Sequence, residues 1–154
     1  MISAGILLYR RVGGTVEVLL AHPGGPFWTK RDSGAWSIPK GETDHGEDLV
    51  AIARREFEEE VGTLISDHDP RPLGSVTLRS GKVVHAWACA GDFDPGEQCS
   101  NTFRMEWPPH SGREEEFPEV DRVEWFTAEA ARRKLNPAQV AFIDRLLKLL
   151  NDDG

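Results

Sequence analysis

Three glutamates near the middle of the chain have the spacing of a cation-binding helix face. They are Glu56, Glu59 and Glu60, in the run Arg55-Glu56-Phe57-Glu58-Glu59-Glu60-Val61-Gly62. At about 100° per residue, their side chains fall within an arc of roughly 100° on one face. Like charges at this spacing destabilise a helix, so either solvent screens them or a divalent cation binds them. A hard cation such as Mg²⁺ takes carboxylate oxygens and bridges to substrate phosphates. Both interpretations, a solvated face and a metal site, are open from the cluster alone.

The surrounding residues predict a helix from about Glu47 to Val61. The segment contains no proline or glycine, and acidic residues in its first turn suit the helix dipole. A buried stripe is predicted from apolar residues that recur every three or four positions: Val50, Ala53, Phe57 and Val61. Gly62 then supplies the C-terminal stop. This helix would hold the three glutamates on one face.

The full segment resembles the signature of the Nudix hydrolases, G-x5-E-x7-R-E-U-x-E-E-x-G-U, where U is a bulky apolar residue. Eight positions are in register, a strong signal for a motif of this length: Gly41, Glu47, Arg55, Glu56, Phe57, Glu59, Glu60 and Gly62. Thr63 departs from the final apolar position, which affects helix-end packing rather than chemistry. The lead-in from Trp36 to Glu42 is also similar to the family's approach to this motif.

The resemblance implies a hydrolase that acts on a nucleoside diphosphate linked to another group. Mg²⁺ or Mn²⁺ would stabilise the charge that develops as water attacks phosphorus. The implied metal ligands are the Gly41 carbonyl and the carboxylates of Glu56, Glu59, Glu60 and Glu119. Arg55 would orient a neighbouring glutamate, and Glu47 would hold the loop before the helix through hydrogen bonds. The general base is left open between a motif glutamate, Glu56 or Glu59, and a glutamate from a distal loop.

Two distal positions are candidates for that further glutamate. Glu119 stands six residues before Trp125, a spacing at which the family often has a metal-binding or basic glutamate; the alternative is a surface acid. Glu114, Glu115 and Glu116 lie on a stretch that we expect to be a mobile loop. One of them, with Glu116 as our choice, would reach the site as the base; the alternative is that all three are solvated.

Substrate contacts are expected from three residues outside the helix: Lys40, Trp28 and His85. Lys40 is adjacent to Gly41 and would face a phosphate, or else solvent. Phe27 or Trp28 would stack on a nucleobase, with Lys30 or Arg31 on phosphate, unless the aromatic rings only cover the sheet edge. His85 would face the pocket from its strand, unless it is a partly buried packing residue.

Alternating patterns predict the strands that must support this helix. The first two are Ile2–Tyr9 and Val16–His22, joined by a turn at Arg10–Thr15 that contains Gly13-Gly14. The others are Ala35–Ile38, Leu73–Arg79, Val83–Ala90 and Val120–Phe126, with Phe103–Trp107 as a further strand. Two helices follow, one capped by Thr127 and one at Ala138–Leu150 after the cap Asn136-Pro137. The expected class is α/β, a single domain over residues 1–154. The resemblance implies a Nudix-type α/β/α sandwich on a mixed β-sheet.

Composition excludes several partner classes. The 154 residues carry a formal net charge of −8, which disfavours duplex nucleic acid, and no apolar run approaches a membrane span. Cys89 and Cys99 are too few for a disulfide framework or a zinc site, so we expect reduced thiols in a cytoplasmic protein. A homodimer is an open expectation, since many family members dimerise.

The resemblance leaves the substrate open. The Trp-x-x-Pro-Lys-Gly lead-in is similar to that of the branch that cleaves dinucleoside polyphosphates, which is the first choice. Nucleoside triphosphates and nucleotide sugars such as ADP-ribose come next. A non-catalytic nucleotide sensor is a rival, although such sensors commonly lose motif carboxylates and none is lost here. A protein-interaction module that uses Trp107-Pro108-Pro109 is the other rival.

Overall fold

The computed structural model describes residues 1–44 and 48–152. The strands are β1 (Ile2–Val12), β2 (Thr15–Pro23), β3 (Lys40–Thr43), β4 (Arg71–Thr77), β5 (Val83–Ala90), β6 (Thr102–Glu106), β7 (Glu114–Pro118) and β8 (Val120–Thr127). The α-helices are α1 (Leu49–Val61), α2 (Ala128–Lys134) and α3 (Val140–Asp152), with 3₁₀ turns at Pro95–Glu97 and Pro137–Gln139. No helix of the described residues is both long and apolar enough to cross a membrane.

The main sheet is mixed and has β1 near its centre. Its strand order is β4-β5-β1-β2-β8, and β3 pairs with the first half of β1. β1 runs parallel to β5 and antiparallel to β2 and β3. The β1–β2 hairpin closes through Gly13 and Gly14, whose φ angles of 58° and 82° suit the two-residue turns that match strand twist. The predicted hairpin is confirmed.

Helices cover both faces of this sheet. α1 packs on one face in a core that includes Ile6, Leu19 and Phe57. α2 and α3 pack on the other face in a core that includes Leu7, Trp36 and Phe142. Along β5 the side chains alternate between the two cores, as the strand pattern predicts. The α/β/α sandwich on a mixed sheet is therefore confirmed.

The helix that contains the three glutamates, α1, differs in detail from the prediction. α1 begins at Leu49, after the N-cap Asp48, and its first turn contains no acidic residue. Ile52, rather than the predicted Val50, joins the buried stripe with Ala53, Phe57 and Val61. Glu47, expected to hold the preceding loop, lies outside the described residues. The stop at Gly62 is confirmed: its φ is 89° and its N–H donates to the Glu58 carbonyl.

The strand predicted at Ala35–Ile38 is wrong. Trp36 and Ser37 form only isolated bridges, and the strand lies further along, at Lys40–Thr43. Pro39 has no N–H to donate, but its carbonyl accepts from the Ile6 N–H at 3.1 Å. The chain is thereby turned alongside β1, and continuous pairing begins at Lys40, opposite Gly5.

The mobile loop predicted around Glu114–Glu116 is also wrong. These residues begin β7, which pairs antiparallel with β6 to form a separate two-stranded sheet. Arg104 stands opposite Glu116, and its guanidinium lies 3.3 Å from a carboxylate oxygen of Glu114. Cross-strand pairs of opposite charge stabilise a ladder whose sequence lacks apolar alternation.

Candidate active site

A cavity of about 110 Å³ lies where β2 ends and β8 begins. Three of the predicted residues, Lys40, Glu60 and Glu119, line this cavity. The rest of its wall comes from the ends of β2 and β8 and the segment before β3: Ala21, Pro23, Ser37, Ile38 and Val120. The fold therefore brings together one cation and two carboxylates that are far apart in the sequence.

Glu60 has an unusual environment for an acidic side chain. Its Oε2 atom is buried and has no hydrogen-bond partner among the described residues. Burial raises the pKa of this carboxyl to about 8, and the charges of Glu56 and Glu119 act in the same direction. The charge of Lys40 and a hydrogen bond with the Lys40 backbone oppose that rise. A buried carboxylate oxygen without a partner is costly unless a cation or donor completes it.

Among the described residues that line the cavity, Lys40 is the one with a cationic side chain. Its burial lowers the pKa of the ammonium group, and the nearby charge of Lys82 lowers it further. The carboxylates of Glu60 and Glu42 act in the opposite direction. Lys40 therefore interacts electrostatically with the carboxyl group of Glu60.

Gly41 and Glu56 are in direct contact. A Cβ atom placed on Gly41 would lie 2.0 Å from Cδ of Glu56 and 2.2 Å from its Oε2. Burial raises the pKa of Glu56, and the charges of Glu59 and Glu119 raise it further. Only glycine leaves room for the Glu56 carboxylate against the backbone of β3. The two residues, which the resemblance implies as metal ligands, are therefore neighbours in the fold.

Arg55 is more loosely placed than the resemblance implied. Its guanidinium Nη2 lies 3.9 Å from Glu56 Oε1, beyond hydrogen-bond distance, and the side chain is exposed. Its charge lowers the pKa of Glu56, against the effect of burial. Arg55 thus acts on Glu56 electrostatically in this structure, rather than through a fixed hydrogen bond.

Glu119 is positioned through its backbone. Its N–H donates to the Asn101 carbonyl at 2.8 Å, and its carbonyl accepts from the Gly24 N–H at 2.9 Å. A Cβ on Gly24 would lie 1.9 Å from the Pro118 carbonyl oxygen, so the chain after β2 packs tightly against this segment. These contacts hold Glu119 at the cavity.

Glu116 is not among the residues that line the cavity. Its carboxylate accepts from the Thr102 hydroxyl at 2.9 Å and lies 3.9 Å from Arg104. Of the two distal candidates, the structure therefore brings only Glu119 to the site.

His85 does not line the cavity either. Gly41 and His85 are both register partners of Ala4, on β3 and β5 respectively. Because these strands flank β1 on opposite sides, the two backbones are about 10 Å apart.

Trp28 lies on the exposed segment that follows Gly24. Phe27 and Trp28 are 59% and 38% exposed. The Phe27 ring packs edge-to-face on Trp107 of the segment after β6, with ring centres 5.4 Å apart. The Arg31 guanidinium lies 5.3 Å from the centre of the Trp28 ring. Two accessible aromatic rings and the Arg31 guanidinium therefore follow Gly24, whose N–H donates to the Glu119 carbonyl.

Sequence reasoning missed Gln98, which fastens α1 to β8. Its side-chain amide donates to the carbonyls of Glu60 at 3.0 Å and Val120 at 3.2 Å. The neighbouring Cys99 N–H donates to the Val61 carbonyl. Gln98 therefore fixes the end of the glutamate helix against the strand that follows Glu119. A single glutamine in an irregular stretch gives no sequence signal for this role.

The donor set fits a hard divalent cation. Carboxylate oxygens and a backbone carbonyl are the ligands that Mg²⁺ and Mn²⁺ prefer, and the unpartnered Glu60 oxygen suits the same use. In residues 1–44 and 48–152, no three His, Cys, Asp or Glu side chains already form a converged metal-binding group. The carboxylates would have to move together, against their mutual repulsion, as a cation binds.

Comparison with known proteins identifies relatives of this chain. The 8-oxo-(d)GTP phosphatase of Mycolicibacterium smegmatis is 32% identical over 149 residues, which cover 86% of this chain and 37% of that relative. The chain thus spans little more than a third of the relative's length.

Two solved structures share the fold. The Caenorhabditis elegans Ap4A hydrolase, in a binary complex, has a TM-score of 0.68 and 21% identity, covering 97% of this chain and 98% of that one. The NUDIX domain of Shewanella oneidensis NrtR, complexed with ADP ribose, has a TM-score of 0.63 and 15% identity, covering 97% and 88%. The sequence profile of the NUDIX domain family matches residues 1–146. The chain therefore belongs to the NUDIX domain family.

Proposed function

We propose that the protein is a divalent-cation-dependent pyrophosphohydrolase that cleaves a phosphoanhydride bond in a nucleoside diphosphate linked to another group. The observation that carries this proposal is the buried, unpartnered Glu60 oxygen in a cavity shared with Lys40 and Glu119. A sensor would not need to keep every motif carboxylate. The retained set therefore favours an enzyme over a nucleotide sensor.

The residues divide into metal-holding and substrate-holding groups in this proposal. Mg²⁺ or Mn²⁺ would be held by the Gly41 carbonyl and by the carboxylates of Glu56, Glu59, Glu60 and Glu119. When bound, the cation would neutralise phosphate charge and make the attacking water more acidic. Lys40 would face a phosphate oxygen from inside the cavity, as a point charge. Trp28 and His85 would contact the parts of the nucleotide further from the reacting phosphorus.

The general base belongs to the carboxylates near the cavity. Glu56 has a pKa raised toward the working range of a base, while Arg55 keeps its charged form accessible. Glu59 and Glu119 are the other candidates, Glu119 because it lines the cavity. Glu116 is the least supported of the proposed catalytic residues, because the β6–β7 sheet holds its carboxylate.

Dinucleoside polyphosphates are the proposed substrate class. The lead-in from Trp36 to Glu42 supports this choice, and so does the shared fold with an Ap4A hydrolase. A nucleoside triphosphate is the second candidate, favoured by the 8-oxo-(d)GTP phosphatase relative. An ADP-ribose type of nucleotide sugar is the third, since the NrtR domain was solved with ADP ribose.

A nucleotide panel tests the proposal. Purified protein with Mg²⁺ would be incubated with diadenosine tetraphosphate, 8-oxo-dGTP, dGTP and ADP-ribose, and products would be separated by chromatography. We expect cleavage of a phosphoanhydride bond, fastest with the dinucleotide. Faster cleavage of a triphosphate or of ADP-ribose would overturn the substrate order. If a panel nucleotide binds and none of the four is cleaved, the protein would instead be a sensor.

A further inference from the structure

His22 has a buried, titratable side chain that the proposed chemistry does not use. It is 1% exposed and stands between two residues of the cavity wall, Ala21 and Pro23. Its ring contacts the Trp36 ring edge-on, with centres 5.0 Å apart. Its Nδ1 lies 2.8 Å from Oδ1 of Asp121, and its Nε2 lies 2.7 Å from the Arg31 carbonyl oxygen. Both ring nitrogens are therefore engaged.

The two partners restrict the protons on this ring. A carbonyl oxygen only accepts, so Nε2 must carry a proton that it donates to Arg31. At the other edge of the ring, Nδ1 is hydrogen-bonded to the Asp121 carboxyl group. The two bonds together fix the ring between Asp121 and Arg31.

These bonds close one end of the segment of residues 24–31, which is exposed from Phe27 onward and which we call the 24–31 loop. Gly24 begins the loop and donates to the Glu119 carbonyl. Arg31 ends it and accepts from His22, which also bonds Asp121, two residues after Glu119. Both ends of the loop are therefore tied to the start of β8, beside the candidate metal site. Between them lie the exposed Phe27, Trp28 and Lys30.

We propose that His22 is a positioning residue for substrate binding, which fixes the 24–31 loop relative to Glu119 through its paired bonds to Asp121 and Arg31. The proposal rests on the proposed function, because it assigns to the loop the nucleobase and outer phosphates of a nucleotide substrate. A loop held at both ends has already lost the conformational freedom that binding would otherwise remove. Loosening one end should weaken substrate binding and leave the chemistry at the carboxylates nearly intact.

Three variants separate this role from general packing. His22→Phe keeps an aromatic ring against Trp36 and removes both hydrogen bonds. Asp121→Ala removes one bond at a position whose side chain is 31% exposed. Asp121→Asn is the conservative control, because its amide can donate to Nδ1 of a neutral ring while Nε2 still donates to Arg31. Only the first two variants should release the loop.

Steady-state kinetics and limited proteolysis supply the two measurements. We expect KM to rise about tenfold for His22→Phe and about threefold for Asp121→Ala, with kcat within threefold and Asp121→Asn near wild type. Trypsin should cut after Lys30 or Arg31 at least about fivefold faster in the first two variants, since a tied loop resists cleavage. Circular dichroism melting would confirm that each variant is folded.

The outcomes show separately whether the positioning role of His22 fails and whether the proposed hydrolase function fails. Unchanged KM and unchanged cleavage in folded His22→Phe would overturn the positioning role, and so would a fall in kcat without a rise in KM. If His22→Phe does not fold, the contrast between Asp121→Ala and Asp121→Asn decides, and equal behaviour of the two overturns the proposal. If wild-type protein hydrolyses no nucleotide, the proposed function fails, and with it the assignment of the loop to a substrate. The trypsin result would then still show whether His22 holds the loop.

Discussion

Glu60 combines a buried carboxylate oxygen with two acidic neighbours, Glu56 and Glu119, whose charges disfavour its ionised form. Lys40 opposes that effect from the same cavity. An ionised carboxylate in this position destabilises the metal-free fold, but it could bind a cation. Substitution at this residue should therefore have opposite effects on activity and on metal-free stability.

The first prediction is that Glu60→Gln lowers the hydrolysis rate at least about a hundredfold with the fold intact. The amide keeps the shape of the side chain and removes a ligand charge that stabilises the transition state, an effect of a few kcal/mol. Initial rates with saturating Mg²⁺ provide the measurement. Glu58→Gln, on the same helix and outside the signature glutamates, is the matched control and should stay near wild type. Equal rates for the two variants would refute the metal role of Glu60.

The second prediction concerns stability without metal. Burial raises the pKa of Glu60 from 4.5 to about 8, so between these pH values the folded protein holds a proton that the unfolded chain has released. The free energy of unfolding therefore falls as pH rises from about 4.5 to about 8. Glu60→Gln lacks this proton and should lose that part of the pH dependence.

Thermal melting in chelator at pH 5 and pH 8 measures this effect. The difference in Tm between Glu60→Gln and wild type should increase, in favour of the variant, by at least about 3 °C from pH 5 to pH 8. This corresponds to roughly 1 kcal/mol for a domain of this size. Parallel melting curves at the two pH values would show that the Glu60 carboxyl titrates as an ordinary exposed one.

The third prediction separates the two distal glutamates. Glu119 lines the cavity, whereas Glu116 bonds Thr102 on the neighbouring strand. Glu119→Gln should lower both turnover and Mg²⁺ affinity, by about tenfold or more, because it removes a proposed ligand. Glu116→Gln should change neither by more than about twofold. Metal titrations of the two variants test this, and a selective loss of turnover in Glu116→Gln would instead identify it as the base.

At the scale of elements, the glutamate helix was predictable and the β6–β7 sheet was not. Apolar residues at helical spacing and Gly62 mark α1 in the sequence itself. By contrast, the acidic run of β7 has no apolar alternation. Its pairing with β6 depends on Arg104 and other residues on the partner strand. Such tertiary stabilisation overrides a local pattern that favours a loop.

Gly41 and Glu56 are candidates from the sequence because one local motif contains both. Their contact is a finding of the structure. Gln98 and His22 could not be predicted, because their roles arise from strands and loops that meet only in the fold. Glu119 lies between these cases: a spacing to Trp125 suggested it, and its place in the cavity wall depends on Gly24 and Asn101.

The fourth prediction tests the 24–31 loop as an element of substrate binding. Trp28→Ala removes an accessible indole and should raise KM by about threefold to tenfold, with kcat within twofold, as expected for loss of one stacking contact. Val12→Ala, another exposed apolar residue but on the β1–β2 hairpin, serves as the control. If Trp28→Ala leaves KM unchanged, its ring only covers the neighbouring surface.

At the scale of the whole molecule, a net charge of −8 opposes the binding of a polyphosphate. Among the residues that the structure describes in the cavity wall, Lys40 is the one cation beside the two acidic side chains of Glu60 and Glu119. A bound divalent cation would reverse the local charge and let phosphate approach carboxylates that otherwise repel it. Substrate turnover should therefore depend on the metal throughout.

The most direct test is the hydrolysis rate of the best panel nucleotide as a function of added Mg²⁺, starting from protein stripped with excess chelator. We predict a rate below about one hundredth of the maximum without metal, with full recovery as Mg²⁺ or Mn²⁺ is added. Full-rate hydrolysis by the stripped protein in excess chelator would contradict the assignment of Glu56, Glu59, Glu60 and Glu119 as a catalytic metal site.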